Sequence, residues 1–107
     1  MQAGRELDKQ VAVGLGWEVD EHIDIYLKEG AWREIPHFST KWEGMGVLVE
    51  EAIKKQDVYL KFEADPHGWY EAGAWDEREW RNYGPIASDS APYAMCIVFL
   101  KAMRIAI

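Results

Sequence analysis

Hydrophobic positions in the first third of the chain predict one short helix followed by irregular structure. Between Arg5 and Leu15 the apolar residues Leu7, Val11 and Leu15 recur every four positions, which is the spacing of one helix face, and glycines follow as stop signals. The segment 18–35 begins with acidic residues and shows no regular alternation. It therefore fits either a covering loop or an irregular edge hairpin.

A second helix is predicted to begin at Thr40. Thr40 and Glu43 have the spacing of a capping box, in which a hydroxyl and a carboxylate each bond a free amide at the helix start. Apolar residues then recur at helical spacing and predict a stripe that faces the core. The stripe comprises Trp42, Met45, Val49, Ala52 and Ile53. Gly44 and Gly46 each cost about 1 kcal/mol relative to alanine inside a helix, so either something packs closely on the first turns or the two glycines are tolerated without a packing role.

Residues 57–75 show the clearest strand pattern in the chain. The stretch 57–64 alternates β-forming and polar side chains, 65–68 has the composition of a turn, and 69–75 is predicted to return as a second strand. An isolated hairpin is marginally stable in water, so we expect helices to cover one of its sides. The polar segment 76–88 is predicted to be a long loop or to contain a third strand.

The C-terminal segment predicts an apolar helix. Asp89 or Ser90 is expected to cap it, and Pro92 falls in the first turn, where proline is favoured. The residues that follow are apolar on almost every side, so this helix is expected at the centre of the core. Together these patterns predict a single domain over residues 1–107, of the α+β class, with three helices packed on a small antiparallel sheet.

Composition excludes several classes of protein. A chain of 107 residues with 49% hydrophobic and 13% aromatic residues is expected to form an ordered core without disulfide or metal support. Its apolar runs are too short for a membrane span, and its first residues lack the apolar region of a signal peptide. The formal net charge of −7 opposes attraction to phosphate backbones, so direct nucleic-acid binding is disfavoured. A single cysteine fits a reducing cytoplasm.

Three segments spread over nearly the whole chain form a distinctive combination. They are GRELD at 4–8, PHFST at 36–40 and ASDSAP at 87–92, accompanied by Gly16-Trp17 and by Cys96 in the last helix. This combination resembles the phage ABA-sandwich domain family, which consists of small proteins of bacteriophages and prophages. Many of those relatives have glycine at the position of Ser88 and threonine at that of Ser90.

The resemblance implies an α-β-α layered fold and the cytoplasm of a bacterial host as the place of action. Members of the family largely lack an assigned activity, so the resemblance supplies no catalytic residues. Function must therefore be sought in this chain's own side chains.

The first histidine lies in an acidic segment. His22 is flanked by Asp20, Glu21 and Asp24, and carboxylates with an imidazole could hold a divalent cation. No second histidine stands at ligand spacing, so a solvated acidic loop is the favoured interpretation, and we expect no metal site.

His37 precedes the predicted second helix, whose free amides favour an anion. With Ser39 and Thr40 it could line a small anion pocket. The favoured interpretation is that Ser39 and Thr40 cap their own helix.

The remaining candidates for catalysis are weak. Cys96 lies on an apolar helix face, where burial raises the pKa of a thiol and opposes its use as a nucleophile. The glycines have neither the spacing nor the preceding strand of a nucleotide-binding loop. We therefore expect neither a cofactor nor catalytic residues, although the sequence leaves enzymatic activity open.

Aromatic and arginine side chains concentrate in one polar segment. Trp75, Arg78, Trp80, Arg81 and Tyr83 have the composition enriched at binding hot spots. Burial of these residues by a folded-back loop is the favoured interpretation. If they are exposed, they could dock a host protein or stack a flat or anionic ligand.

The sequence thus predicts a noncatalytic phage or prophage accessory protein that binds a host protein or a small ligand, and self-association is compatible with it. Two alternatives remain. A small metal-assisted hydrolase would need His22 or His37 to meet carboxylates in a pocket. An acidic decoy that mimics nucleic acid would need a set of carboxylates to converge on one face. These carboxylates are Asp20, Glu21, Asp24, Asp76, Glu77 and Glu79.

Overall fold

Three helices and six strands follow one another along residues 1–106, which this computed structural model describes. The helices are α1 (Arg5–Gly14), α2 (Trp42–Gln56) and α3 (Ala91–Ala102). The strands are β1 (Glu18–Val19), β2 (Ile25–Lys28), β3 (Ala31–Glu34), β4 (Val58–Ala64), β5 (Tyr70–Asp76) and β6 (Arg81–Ser88). The predicted α+β class and the number of helices are confirmed.

The strands form two antiparallel sheets, so the prediction of a single small sheet is wrong. The first sheet has the order β1-β2-β3 and the second the order β4-β5-β6. The strands of the first sheet contain only two to four residues, too few for alternation to be visible in the sequence. Of the two alternatives for each ambiguous segment, the hairpin at 25–34 and the third strand at 81–88 are the ones observed.

Helix α3 lies at the centre of the core, as its apolar sequence predicts. It packs against all three strands of the second sheet, and α1 and α2 pack against it. Ser90 is its N-cap and accepts a hydrogen bond from the amide of Tyr93 at 3.3 Å. Pro92 occupies the first turn, where its missing amide hydrogen costs nothing.

Helix α2 begins later than the sequence predicts, and only part of the predicted stripe faces the core: Met45 and Ala52 are buried and Val49 packs against the core. Its N-cap is Lys41, without a side-chain capping bond, so Thr40 lies outside the helix and the predicted capping box is wrong. Trp42 and Ile53 are 53% and 40% exposed instead of facing the core. Trp42 packs edge-on against the rings of Phe62 and Tyr70. The residues that α2 buries are Gly44, Met45, Leu48 and Ala52.

Gly44 permits the close approach that the sequence leaves open. A Cβ atom at this position would lie 2.1 Å from the carbonyl oxygen of His37 and 2.8 Å from the amide nitrogen of Phe38. Gly46 has open space around it, so only one of the two glycines is required by packing.

Strand alternation gives the second sheet two different sides. The inner side packs on α3 and contains the buried residues Val58, Ala72, Ala74 and Asp76. The outer side carries side chains that are exposed or half-buried: Tyr59, Lys61, Glu63, Glu71 and Trp75. The sheet therefore presents a polar and aromatic surface that the described residues leave open.

Candidate functional site

Three aromatic side chains lie together on the outer side of the second sheet. Tyr59 and Trp75 are direct cross-strand neighbours, and the rings of Trp75 and Trp80 meet edge-to-face with centroids 5.5 Å apart. Tyr59 is 44% exposed and Trp80 is 76% exposed. We call Tyr59, Trp75 and Trp80 the outer aromatic patch. Burial of this segment by a folded-back loop, the favoured interpretation of the sequence, is wrong for Trp80.

The backbone at Trp80 is held in an unfavourable conformation. Its φ angle is 56°, in the left-handed region, which costs a residue other than glycine on the order of 1 kcal/mol. The strain sets this large side chain at the tip of the β5-β6 connection, in contact with Trp75. Glu29, Asp57 and Arg104 share this conformation, and Trp80 is the aromatic residue among the four.

Acidic side chains lie on the same side of the sheet as the outer aromatic patch. Glu63 and Glu71 lie directly opposite each other across β4 and β5, an arrangement in which like charges destabilise a sheet. The carboxylate of Glu77 accepts a hydrogen bond from the indole of Trp75. A shallow depression of about 270 Å³ also opens on this side of the sheet, beside Lys61 and Glu71. This side of the sheet thus carries the aromatic patch toward one end, with Glu77 against it, and a pair of glutamates about 13 Å away along the strands.

The other predicted residues of the segment lie apart from the patch. Arg78 is bound by the buried carboxylate of Asp76 through two side-chain hydrogen bonds of 3.1 Å. Tyr83 is half-buried and packs against the core, with the guanidinium carbon of Arg81 at 5.9 Å from its ring centroid. The structure therefore brings Trp75 and Trp80 together but separates them from Arg78, Arg81 and Tyr83.

A buried polar network connects the start of α1 to the segment before α2. The fully buried carboxylate of Asp8 accepts hydrogen bonds from the amide of Ser39 at 2.8 Å and from its hydroxyl at 2.7 Å. Arg5 donates to Asp8 at 3.0 Å and to the carbonyl of Ile35 at 2.7 Å. The amide of Gly4 donates to Ser39 Oγ at 2.9 Å. The GRELD and PHFST segments are therefore one structural unit.

His37 belongs to the same network. Its Nδ1 lies 3.1 Å from the guanidinium of Arg5, and its Nε2 lies 3.1 Å from the carboxylate of Glu34. Because Arg5 can only donate, Nδ1 accepts and Nε2 carries the proton that bonds Glu34. Ser39 is buried and bonds Asp8 instead of capping α2, contrary to the favoured interpretation. Of the three candidates for an anion pocket, His37 and Ser39 are thus engaged within the fold, and Thr40 is exposed.

The acidic segment around His22 forms a turn. Asp20 accepts hydrogen bonds from the amides of His22 and Ile23, and these bonds lower the pKa of its carboxyl group. Asp24 lies 3.7 Å from Arg5 and 3.8 Å from Lys9. Among residues 1–106 no three histidine, cysteine or acidic side chains are grouped so that they could hold a metal ion.

Cys96 is fully buried at the centre of α3. Burial, together with the charge of Asp8, raises the pKa of its thiol well above the ordinary value. A thiol in this state is a poor nucleophile, so Cys96 acts as a small core residue.

A second cavity, which the sequence patterns do not indicate, lies between the end of α1, strand β2 and the last turns of α2. Its volume is about 490 Å³. The pair Lys54-Lys55 is visible in the sequence, but only the tertiary structure brings Lys28 to the same cavity. We call it the lysine pocket, lined by Trp17, Tyr26, Lys28, Glu51, Lys54 and Lys55.

Comparison with known proteins places the fold. The chain is similar to a solved structure described as a phage protein from Bacillus cereus ATCC 14579, with a TM-score of 0.74 and 20% sequence identity. The similarity covers 100% of this chain and 92% of the other. No protein-family model matches the sequence, and neither does any curated protein.

This level of similarity shows a shared fold. The shared fold extends over the full length of the chain, because both chains are covered almost completely. No helix within residues 1–106 has the length and apolar character that crossing a membrane requires.

Proposed function

We propose that this protein is a noncatalytic phage or prophage accessory protein of the ABA-sandwich kind, which binds a host protein through the outer aromatic patch. The observation that carries the proposal is the exposed ring of Trp80, packed edge-on against Trp75 at the open side of a sheet. Tryptophan is among the residues most enriched at the energetic centres of protein interfaces. The phage origin is supported by the GRELD, PHFST and ASDSAP segments and by the fold shared with a phage protein.

The glutamates on this side of the sheet indicate the chemistry of the partner. Glu77 lies against Trp75, and the same side of the sheet carries Glu63 and Glu71 about 13 Å farther along the strands. A partner with an apolar side chain surrounded by lysines or arginines would bury the tryptophans and relieve the repulsion between Glu63 and Glu71. The host protein is therefore proposed to present a basic surface with an apolar centre.

A noncatalytic role fits the state of the reactive groups. The thiol of Cys96 is buried with a raised pKa, and His37 is held between Arg5 and Glu34. The carboxylate of Asp76 is bound by Arg78. These groups stabilise the fold, whereas the tryptophans of the patch face outwards.

The proposal is tested by affinity purification from cells of the bacterial host, with three forms of the protein compared by quantitative mass spectrometry. Wild type and Trp32→Ala should retain the same host protein, and Trp80→Ala should lose it. Trp32 is the matched control, because it is also a half-exposed tryptophan but lies on β3 in the other sheet. With the purified partner, Trp80→Ala should raise the Kd by about 30-fold, which corresponds to roughly 2 kcal/mol.

Two results would contradict the proposal. If wild type and Trp80→Ala retain the same host proteins equally, the patch is not part of the interface. Salt screens exposed charge pairs, so the Kd for the purified partner should rise with salt concentration. A Kd that does not change with salt would contradict a role for the glutamates in binding.

The alternative of an acidic decoy receives less support from the structure. Of the six carboxylates that it requires, Asp76 is buried against Arg78 and Glu79 pairs with Arg104. Asp24 lies near two cations of α1. A free acidic face made of all six is therefore not available. The metal-assisted hydrolase would need His37 or His22 to join carboxylates in a pocket, and His37 is engaged by Arg5 instead.

A further inference from the structure

The lysine pocket has one aromatic wall. The rings of Trp17 and Tyr26 stack nearly parallel, with centroids 4.2 Å apart and planes inclined by 20°. Trp17 also packs on the buried ring of Phe38, with centroids 5.6 Å apart. Trp17 is thus supported on two sides, and Tyr26 remains half-buried beside the cavity. A stacked pair anchored to the core gives a firm surface for a flat ring.

Positive charge gathers at the same cavity. Lys28 comes from β2, and Lys54 and Lys55 come from the last turn of α2, against a single carboxylate from Glu51. Within residues 1–106 none of the three lysines takes part in a salt bridge. The local balance is therefore +2 in a protein whose net charge is −7. Lysines at a helix C-terminus are common, but this preference does not account for Lys28 on another element.

The frame of the pocket is fixed by the fold. The side chain of Gln56 donates a hydrogen bond to the carbonyl of Leu15 at 3.3 Å and so ties the end of α2 to the end of α1. The cavity volume of about 490 Å³ falls within the range of small-molecule sites, roughly 300–1,000 Å³. The cavity is therefore large enough for a small-molecule ligand.

We propose that the lysine pocket binds a nucleoside phosphate, whose base stacks on the face of Tyr26 and whose phosphate lies among Lys28, Lys54 and Lys55. A flat apolar ligand would leave the three ammonium groups without a counter-charge, and an inorganic anion would leave the aromatic wall unused. Ammonium groups bind phosphate as compact charges, and stacking of a base on an aromatic side chain contributes about 1–3 kcal/mol. One ligand with both groups satisfies both features of the site.

Isothermal titration calorimetry at low salt with AMP, GMP, CMP and UMP tests this proposal, with adenosine and inorganic phosphate as the separate halves of the ligand. At least one nucleotide should bind, and adenosine and phosphate should each bind at least about tenfold more weakly. The double variant Lys54→Gln/Lys55→Gln should weaken nucleotide binding by about tenfold or more. The matched control is Lys61→Gln/Lys101→Gln, which removes two exposed lysines from other elements and should leave the affinity unchanged.

Two further variants separate stacking from folding. Tyr26→Phe should keep the affinity, because the ring is retained, whereas Tyr26→Leu should reduce it while the circular dichroism spectrum shows a folded protein. Trp80→Ala should bind nucleotide as wild type does, because Trp80 does not line the lysine pocket. The nucleotide proposal and the host-protein proposal can therefore fail independently of each other. The proposal is overturned if wild type binds no nucleotide at millimolar concentration, if phosphate alone binds as tightly, or if both lysine double variants weaken binding equally.

Discussion

Asp76 and Arg78 form an ion pair that gives both side chains a structural role. The Asp76 carboxylate is 1% exposed and accepts hydrogen bonds from the guanidinium and the backbone amide of Arg78. The side-chain bond from Arg78 is the main reason why the pKa of Asp76 is lowered from 3.8. Arg78 therefore stabilises the fold through Asp76, although its position in an aromatic, arginine-containing segment favours a binding role.

The pair should make stability depend on pH. Because the pKa of Asp76 is lower in the folded protein, its contribution is complete above 3.8 and is lost as the pH falls through the folded-state pKa. We expect Asp76→Asn to lower the free energy of unfolding by about 1–3 kcal/mol at neutral pH. The difference from wild type should shrink below pH 3.8. Urea unfolding across this range measures both effects.

Asp89→Asn is the control for this experiment, since Asp89 is exposed and follows the second sheet. It should change stability little at any pH. A gap between wild type and Asp76→Asn that stays constant from neutral to strongly acidic pH would refute the assignment.

Residue partnerships of this kind are only partly visible in a sequence. The burial of Cys96 follows from its apolar neighbours, and Ser90 is identified as a cap by its position before Pro92. The bond between Ser39 and Asp8 joins residues 31 positions apart, so no local pattern can predict it. Spacing alone can suggest only a local partnership, so the sequence predicts a capping role for Ser39.

At the scale of elements, the periodicity of apolar residues predicts whether a segment forms a helix or a strand, but not reliably which of its sides is buried. The strands at 58–64 and 70–76 and all three helices lie close to where apolar spacing places them. The buried side of α2 follows the predicted stripe only in part: Met45 and Ala52 are buried, whereas Trp42 is exposed and packs edge-on against Phe62 and Tyr70. The sequence leaves both a loop and a hairpin open for the segment 18–35, because the strands of the first sheet are too short to show alternation.

The two glycines of α2 give a matched test of its packing. Gly44→Ala should destabilise the protein by about 1–3 kcal/mol, because the new methyl group would meet the backbone of His37 and Phe38, which cannot move aside. Gly46→Ala should stabilise it by about 0.5–1 kcal/mol, since alanine is the better helix former and the site is open. Urea unfolding of the two variants should therefore shift in opposite directions. A shift of the same sign for both would show that α2 does not approach residues 37–38 as closely as described.

At the scale of the whole molecule, α3 connects the parts of the core. It contacts the second sheet along one side and α1 and α2 along others, and ten of its twelve residues are buried. Exposure of its central residues therefore requires these contacts to separate. Cys96, in the middle of this helix, reports on that event.

The thiol of Cys96 should be labelled only when the molecule opens as a whole. Its complete burial and raised pKa keep the thiolate out of reach of a disulfide reagent in the native state. We expect the labelling rate to rise with urea in parallel with global unfolding. A Val13→Cys variant supplies an internal control, because position 13 is 50% exposed and the new thiol should react at once. Fast labelling of both thiols in native buffer would contradict the central position of α3.

The network of Asp8 and Ser39 has a consequence for how such chains diverge. A substitution at Asp8 leaves the buried amide of Ser39 without its acceptor, and a substitution at Ser39 removes the hydroxyl that bonds the buried carboxylate of Asp8 at 2.7 Å. Either change alone is costly, so a lineage is expected to retain both residues or to replace them together. Positions 8 and 39 should therefore be inherited as a pair, and their covariation would identify distant relatives of this fold even where the rest of the sequence has drifted apart.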